Sequence, residues 1–180
     1  VLPEAKMEAR IEKRGPIMLV GMVFYGDPFS RASAWDEDNE IGSLWKRFMA
    51  FLSASPDAIG ERADRGERWY ELHISEAETA KTGRYEVFAG VETTGLSSIP
   101  IACSAKLLPA AEYAVVTVKG PEMEGDWLGR MFADLVPALG RRPSRDFSFE
   151  LYDTRFKGMD RLSESELDYY IPLLPENAGR

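Results

Sequence analysis

The chain has 180 residues, enough for one domain with a real core or for two small fused halves. Its net charge of −8 is the wrong sign for a phosphate-binding surface, so no nucleic-acid partner is expected within these residues, and it favours cationic ligands through the summed field. One histidine and one cysteine leave no metal site of the ordinary nitrogen–sulfur kind and no internal disulfide, and no apolar run approaches the roughly 18 residues of a membrane span.

The first residues, from Val1 to Lys6, lack a signal-peptide core, so a cytoplasmic location is expected. The chain opens on Val1 rather than Met, which leaves room for an upstream DNA-binding domain that is not part of this sequence. Residues 1–6 and 175–180 read as flexible ends. No cofactor is expected, because there is no glycine-rich phosphate loop, no Gly-x-Ser-x-Gly and no nucleophile with a base beside it. Cys103 reads as a small apolar residue.

In chain order, residues 19–26 form an apolar strand ending at Gly26. An acidic insertion, residues 30–40, follows and contains Trp35, a candidate lid residue. Its run from Asp36 to Glu40 suits a helix N-terminus better than a calcium loop, because the EF-hand spacing is missing. Ile41, Leu44, Trp45, Phe48, Phe51 and Leu52 then make one helical face. After a charged loop at 57–67 come two strands, Trp69–Ile74 and residues 85–91. A linker rich in Thr, Ser, Gly and Pro, residues 92–111, has space for a minor strand.

The pattern then starts again, shifted by 94 residues, the offset from Leu19 to Tyr113. Residues 113–120 are a strand ending at Gly120. Leu128, Met131, Phe132, Leu135, Val136 and Leu139 make a second helical face, expected to end near Pro137 and Gly140. The strand at 148–153 echoes Trp69–Ile74, and 167–173 echoes 85–91. The predicted fold is α+β: a tandem β-α-β-β repeat, halves about 7–95 and 96–174, with pseudo-two-fold symmetry. One curved antiparallel sheet packs one face on two long helices and leaves the other as a ligand groove.

Glu71 and Glu150 occupy matching places in the echoed strands, each a charge inside an apolar or aromatic run. Such a charge is costly unless it has a partner or a task. Strand alternation separates Tyr70, Leu72 and Ile74 from Trp69, Glu71 and His73, and Phe149 and Leu151 from Glu150 and Tyr152. The all-apolar sets are expected to meet the helices, which sends the glutamates, Trp69, His73 and Tyr152 to the groove. The same logic sends Val87, Ala89, Tyr169 and Ile171 to the core and Phe88 and Tyr170 to the groove. Tyr113 goes there with Thr117 and Lys119, and Trp127 rims it or caps the core.

The order of these pieces resembles the GyrI-like effector-binding domains, which also occur at the C-termini of AraC-type and MerR-type regulators. Glu112 to Val116 through Gly120, Phe149-Glu150-Leu151-Tyr152, Phe88 to Glu92, and the closing run from Ser165 to Leu173 carry the resemblance over residues 7–174. It implies a groove for bulky hydrophobic, often cationic, small molecules, with Glu150 as the charge that meets the ligand. Glu71 is a departure, since many members carry a glycine near that place. One branch of the family consists of hydrolases that open cyclopropane-bearing DNA-alkylating compounds in an aromatic cage, and the strands around Trp69 and Tyr152 are similar to that branch.

Three functions follow as alternatives. The first is a drug sensor or sequestering protein that binds aromatic, amphiphilic cations through Glu71, Glu150, Trp69, His73, Phe88, Tyr113, Trp127, Tyr152 and Tyr170. The second is a hydrolase of electrophilic xenobiotics, with Glu71 or Glu150 as the catalytic group that activates water. The third is a gyrase-inhibitor-like protein-interaction module using an acidic surface.

Overall fold

The computed structural model describes residues 7–30, 38–64, 66–123 and 125–176. Trp35, Asp36, Glu37 and most of the two chain ends therefore lie outside the described residues. Eight strands form one sheet: β1 (Ala9–Arg14), β2 (Ile17–Gly26), β3 (Trp69–Ile74), β4 (Tyr85–Thr93), β5 (Ser104–Leu108), β6 (Ala111–Lys119), β7 (Phe147–Tyr152) and β8 (Glu166–Pro172). Every pairing is antiparallel, in the order β1-β6-β8-β7-β3-β4-β2-β5. β3 and β7 thus lie side by side at the middle. Both edges are short strands: β5 is the minor strand for which the 92–111 linker has space, and β1 lies outside the predicted set. β1 escapes a hydrophobicity reading because its sequence, ARIEKR, carries the charges that keep an exposed edge from pairing with other chains.

The sheet curls, and its curl decides which face does what. Tyr70 and Leu72 of β3, Phe88 of β4, Phe149 and Leu151 of β7, and Tyr170 of β8 pack against one another and against Leu19, Leu108, Tyr113 and Val115. No helical residue joins this inner cluster. Phe149 and Tyr170 stack with ring centroids 4.5 Å apart, and Tyr113 meets both edge-on. The all-apolar faces of β3 and β7 therefore do not meet the described helices, contrary to what alternation alone suggests; a twisted sheet brings them onto each other. Bare backbone helps at Gly21, where a Cβ would lie 2.1 Å from the Ala89 carbonyl oxygen.

The helices cover the opposite face. Helix α1 (Glu40–Ala54) is capped by Asn39, whose side chain accepts from the Gly42 N–H. It buries Leu44, Phe48 and Leu52 on Val20, Val87, Ala89 and Val91, above β2 and β4. The second expected long helix is instead segmented: Trp127–Arg130 and Val136–Ala138 are α-helical and Met131–Leu135 is a π-segment. Pro137 lacks an N–H and its ring crowds the carbonyl four residues back, and the wider π-turn, in which the Val136 N–H reaches Met131 O, accommodates both. This helix buries Trp127, Met131 and Val136 on Ala114, Val116, Val118, Tyr169 and Ile171, above β6 and β8. Cys103 is half-buried against the α1 cluster. No helix among the described residues is long and apolar enough to cross a membrane.

Candidate ligand-binding site

Each helix covers one outer strand pair, so β3 and β7 between them are roofed by neither. The β3–β7 register sets Trp69 opposite Tyr152, Glu71 opposite Glu150 and His73 opposite Ser148. The two glutamates share the helix-side face and are each only 4% exposed. The indole N–H of Trp45, from α1, donates to Glu71 Oε2. The Tyr152 hydroxyl donates to Glu150 Oε2. His73 Nε2 stands 2.8 Å from Glu71 Oε1.

Asp168 makes a useful contrast. It is also buried, but Arg155 binds it at 2.8 Å, Arg10 lies at 3.6 Å, and the Thr117 hydroxyl donates to it. Among the described residues, Glu71 has His73 as its ion-pair partner and Glu150 has no Lys or Arg. Like charges directly opposite on adjacent strands destabilise a sheet, and burial sharpens the repulsion. Burial, followed by the charge of Glu71, pushes the Glu150 carboxyl up to about 8, against the pull of His73 and the Tyr152 hydrogen bond. Ionisation of Glu150 beside an ionised Glu71 is therefore disfavoured. Burial alone would lower the His73 imidazole, but the hydrogen bond to Glu71 and the charges of both glutamates win and raise it. Burial and the same two carboxylates hold the Tyr152 phenol well above its usual range, so it stays a donor.

Around this polar floor is an apolar cavity of about 700 Å³, within the range of small-molecule sites. From α1 come Ile41, Trp45 and Met49, four residues apart and one step round from the buried Leu44–Phe48–Leu52 stripe. Trp127 and Leu128 start the opposite wall, Tyr85 and Tyr169 extend the floor, and Phe156 and Met159 close the end beyond β7. Trp45 meets Tyr152 edge-on at 5.7 Å, and Tyr152 meets Phe156 at 4.8 Å. Phe29 and Met49 at the rim are each 46% exposed, an apolar lip open to solvent.

Of the residues expected in the groove, Glu71, Glu150, Trp69, His73, Tyr152 and Trp127 line this cavity. Phe88, Tyr113 and Tyr170 do not: all three belong to the inner cluster on the far face. The groove therefore lies between the helices and the sheet, not on a free face, because the free face is filled by the curl. Trp45 lies on the apolar face that the helical periodicity predicts, yet it lines the cavity. The signal that marks it is the second stripe Ile41–Trp45–Met49, too wide a spread of apolar residues for one buried seam. Tyr169 was placed beneath the helices, and it both packs on Trp127, at 5.0 Å, and borders the cavity.

Glu71, His73 and Glu150 also offer one ligand atom each within 4.8 Å of one another, two carboxylate oxygens and an imidazole nitrogen.

An α+β sheet carrying a mostly apolar cavity, open at its rim and with a few converging polar groups, defines a small-molecule-binding domain. The chain belongs to the GyrI-like family, whose small-molecule-binding domain matches residues 7–174. It is 28% identical over 169 residues to the transcriptional regulator BrlR of Pseudomonas aeruginosa, covering 93% of this chain and 56% of that protein. The chain thus spans little more than half of that regulator. Among solved structures, SAV2435 bound to tetraphenylphosphonium superposes with a TM-score of 0.67 at 15% identity, covering 93% of this chain and 94% of that one. The EcmrR C-terminal domain superposes with a TM-score of 0.62 at 13% identity, over 93% and 98% of the two chains. A hydrolase encoded by lin2189 of Listeria innocua superposes with a TM-score of 0.57 at 8% identity, over 93% and 92%. At these identities the three structures share the fold.

Proposed function

We propose that the cavity binds bulky aromatic cations and that the protein senses or sequesters xenobiotics of that class. The observation that carries this is the buried Glu71–Glu150 pair, which has no Lys or Arg partner among the described residues, at the floor of an aromatic cavity open at an apolar rim. A ligand cation would supply the missing positive charge while its rings stack on Trp45, Trp69 and Trp127. SAV2435 in complex with tetraphenylphosphonium and the relationship to the regulator BrlR support the reading. In a longer regulator, this domain would be the effector-sensing part.

The halves of the chain, about 7–95 and 96–174, are related in this account by a pseudo-two-fold axis between β3 and β7. The strand order supports it, since it reads the same from either edge once the strands of one half are exchanged for those of the other.

The test is binding of a lipophilic cationic dye and of a neutral analogue to the wild type and to Glu150→Gln. The variant is expected to lose affinity for the cation at pH above about 8, where Glu150 is ionised, and to bind the neutral dye as before. Equal changes for both dyes would reject the charge argument.

One feature favours a second reading. Glu150 holds a proton beside Glu71 and His73, an acid next to candidate bases. In a hydrolase, Glu71 would take a proton from water as its oxygen attacks a strained ring carbon. The ring C–C bond would break and Glu150 would protonate the departing carbon. Multiple turnovers of a cyclopropane-bearing alkylator that cease in Glu71→Gln are expected on this reading. Stoichiometric binding with no product would reject it.

A further inference from the structure

We propose that the site exchanges protons for its ligand: a permanently charged aromatic cation entering the cavity expels roughly one proton from the Glu71–His73–Glu150 cluster, so binding tightens as pH rises. This rests on the cation reading above and adds the rule that would govern when the ligand is held and when it is released.

The geometry sets up the competition. Residues directly opposite on antiparallel strands have Cβ atoms only about 4.5–5.5 Å apart, and Glu71 and Glu150 are such a pair. Two ionised carboxylates carried at that spacing repel each other, and the more strongly the lower the local dielectric constant. Both are buried, so water relieves little of this. A positive charge must enter the cluster or a carboxylate must stay neutral. Protons on Glu150 and His73 meet that need in the free protein, and a ligand cation meets the same need. Both together would leave excess positive charge in an apolar cavity, so each disfavours the other.

Among the described residues, no group facing the cluster removes the competition. From α1, Trp45 gives Glu71 a neutral N–H, and Lys46 on the wall pairs with Asp38 at 3.8 Å. From β7, Tyr152 gives Glu150 a neutral hydroxyl. Tyr85 of β4 and Tyr169 of β8 face the cluster as phenols that burial holds protonated, with Asp27 adding to that effect at Tyr85. The direction of titration agrees: Glu150 sits at about 8, and His73 is raised. The bound state favours ionised Glu150, so affinity rises with pH through neutrality and levels off above about 8. The slope is up to roughly tenfold per pH unit for one proton displaced. Acidification would release a quaternary cation from the same cavity that holds it at neutral pH.

Titration calorimetry with tetraphenylphosphonium, which has no titratable group, tests this on the whole chain. At about pH 7 the apparent enthalpy should differ between phosphate and Tris buffers by roughly one proton's share of the difference in their ionisation enthalpies. The Kd should fall by about tenfold per unit between about pH 6 and pH 7.5. Glu150→Gln should bind with no buffer dependence from that site and a much flatter pH profile. If that variant does not fold, the wild-type pH profile and the two-buffer comparison still decide. Retained binding with equal enthalpies in both buffers and a flat Kd overturns proton exchange and leaves the cation reading standing. No binding at any pH overturns both.

Discussion

Glu150→Gln should make the protein more stable at alkaline pH while weakening its binding of cations. Glu150 titrates at about 8 in the fold against 4.5 for a free glutamate, a raised value. A raised carboxyl favours its protonated form, so the fold is fully stabilised by this group below about pH 4.5 and loses that stability as pH rises through about 8. Each pH unit between the two values is worth about 1.4 kcal/mol, so ionised Glu150 costs the fold at most about 5 kcal/mol. Glutamine removes that cost and weakens the hydrogen bond from Tyr152, worth about 1–2 kcal/mol more with a charged acceptor than with a neutral one. The net gain at about pH 8.5 is on the order of 3 kcal/mol, or roughly 6–12 °C in Tm for a domain of this size. At about pH 5, where Glu150 is largely neutral in the folded wild type, the two proteins should melt within a few degrees of each other. Thermal unfolding followed by circular dichroism at both pH values reads this directly. A variant less stable than the wild type at about pH 8.5 would refute the claim that Glu150 is a buried, repelled carboxyl. Function installed at the expense of stability is a common pattern in binding sites.

Other substitutions separate the parts of the site. Trp45→Phe keeps most of the volume but removes the donor to Glu71 Oε2, and should lower stability by about 1–3 kcal/mol in denaturant titrations. Tyr152→Phe removes the donor that favours ionised Glu150, so its cation affinity should fall most near pH 8 and change little for a neutral ligand. Tyr170→Phe, on the inner cluster, loses only the hydroxyl that donates to Glu12 at 3.2 Å and should bind ligands within about twofold of the wild type. A tenfold loss there would mean that the far face takes part. Asp168→Asn should destabilise by about 1–3 kcal/mol, because Arg155 loses a charge-assisted partner, and leave ligand affinity unchanged.

The carboxylate pair was legible in the sequence because two independent regularities met there. The echo of Trp69–Ile74 in residues 148–153 set the register, and strand alternation set the face. Which face the helices would cover was not legible. The rule that an all-apolar face meets a helix fails when a sheet curls enough to bury that face on itself, as Tyr70, Phe149 and Tyr170 do. That one inversion moved Phe88, Tyr113 and Tyr170 out of the site and brought Tyr169 to its edge. Trp45 was hidden for a different reason, since a tryptophan on an apolar helix face reads as core until the buried seam Leu44–Phe48–Leu52 is known. Helix segmentation around Pro137 is a local conflict that the sequence announces but does not resolve: a proline can end a helix or widen a turn within it.

The proposed ligand position is between α1 and the segmented helix, with the ligand's charge on the glutamate pair. A crystal structure of the protein soaked with tetraphenylphosphonium tests it most directly. The phosphonium should lie beside the Glu71 and Glu150 carboxylates, with phenyl rings against Trp45 and Trp127. A ligand bound among Phe88, Tyr113 and Tyr170, or one seated at the rim away from both glutamates, would contradict it.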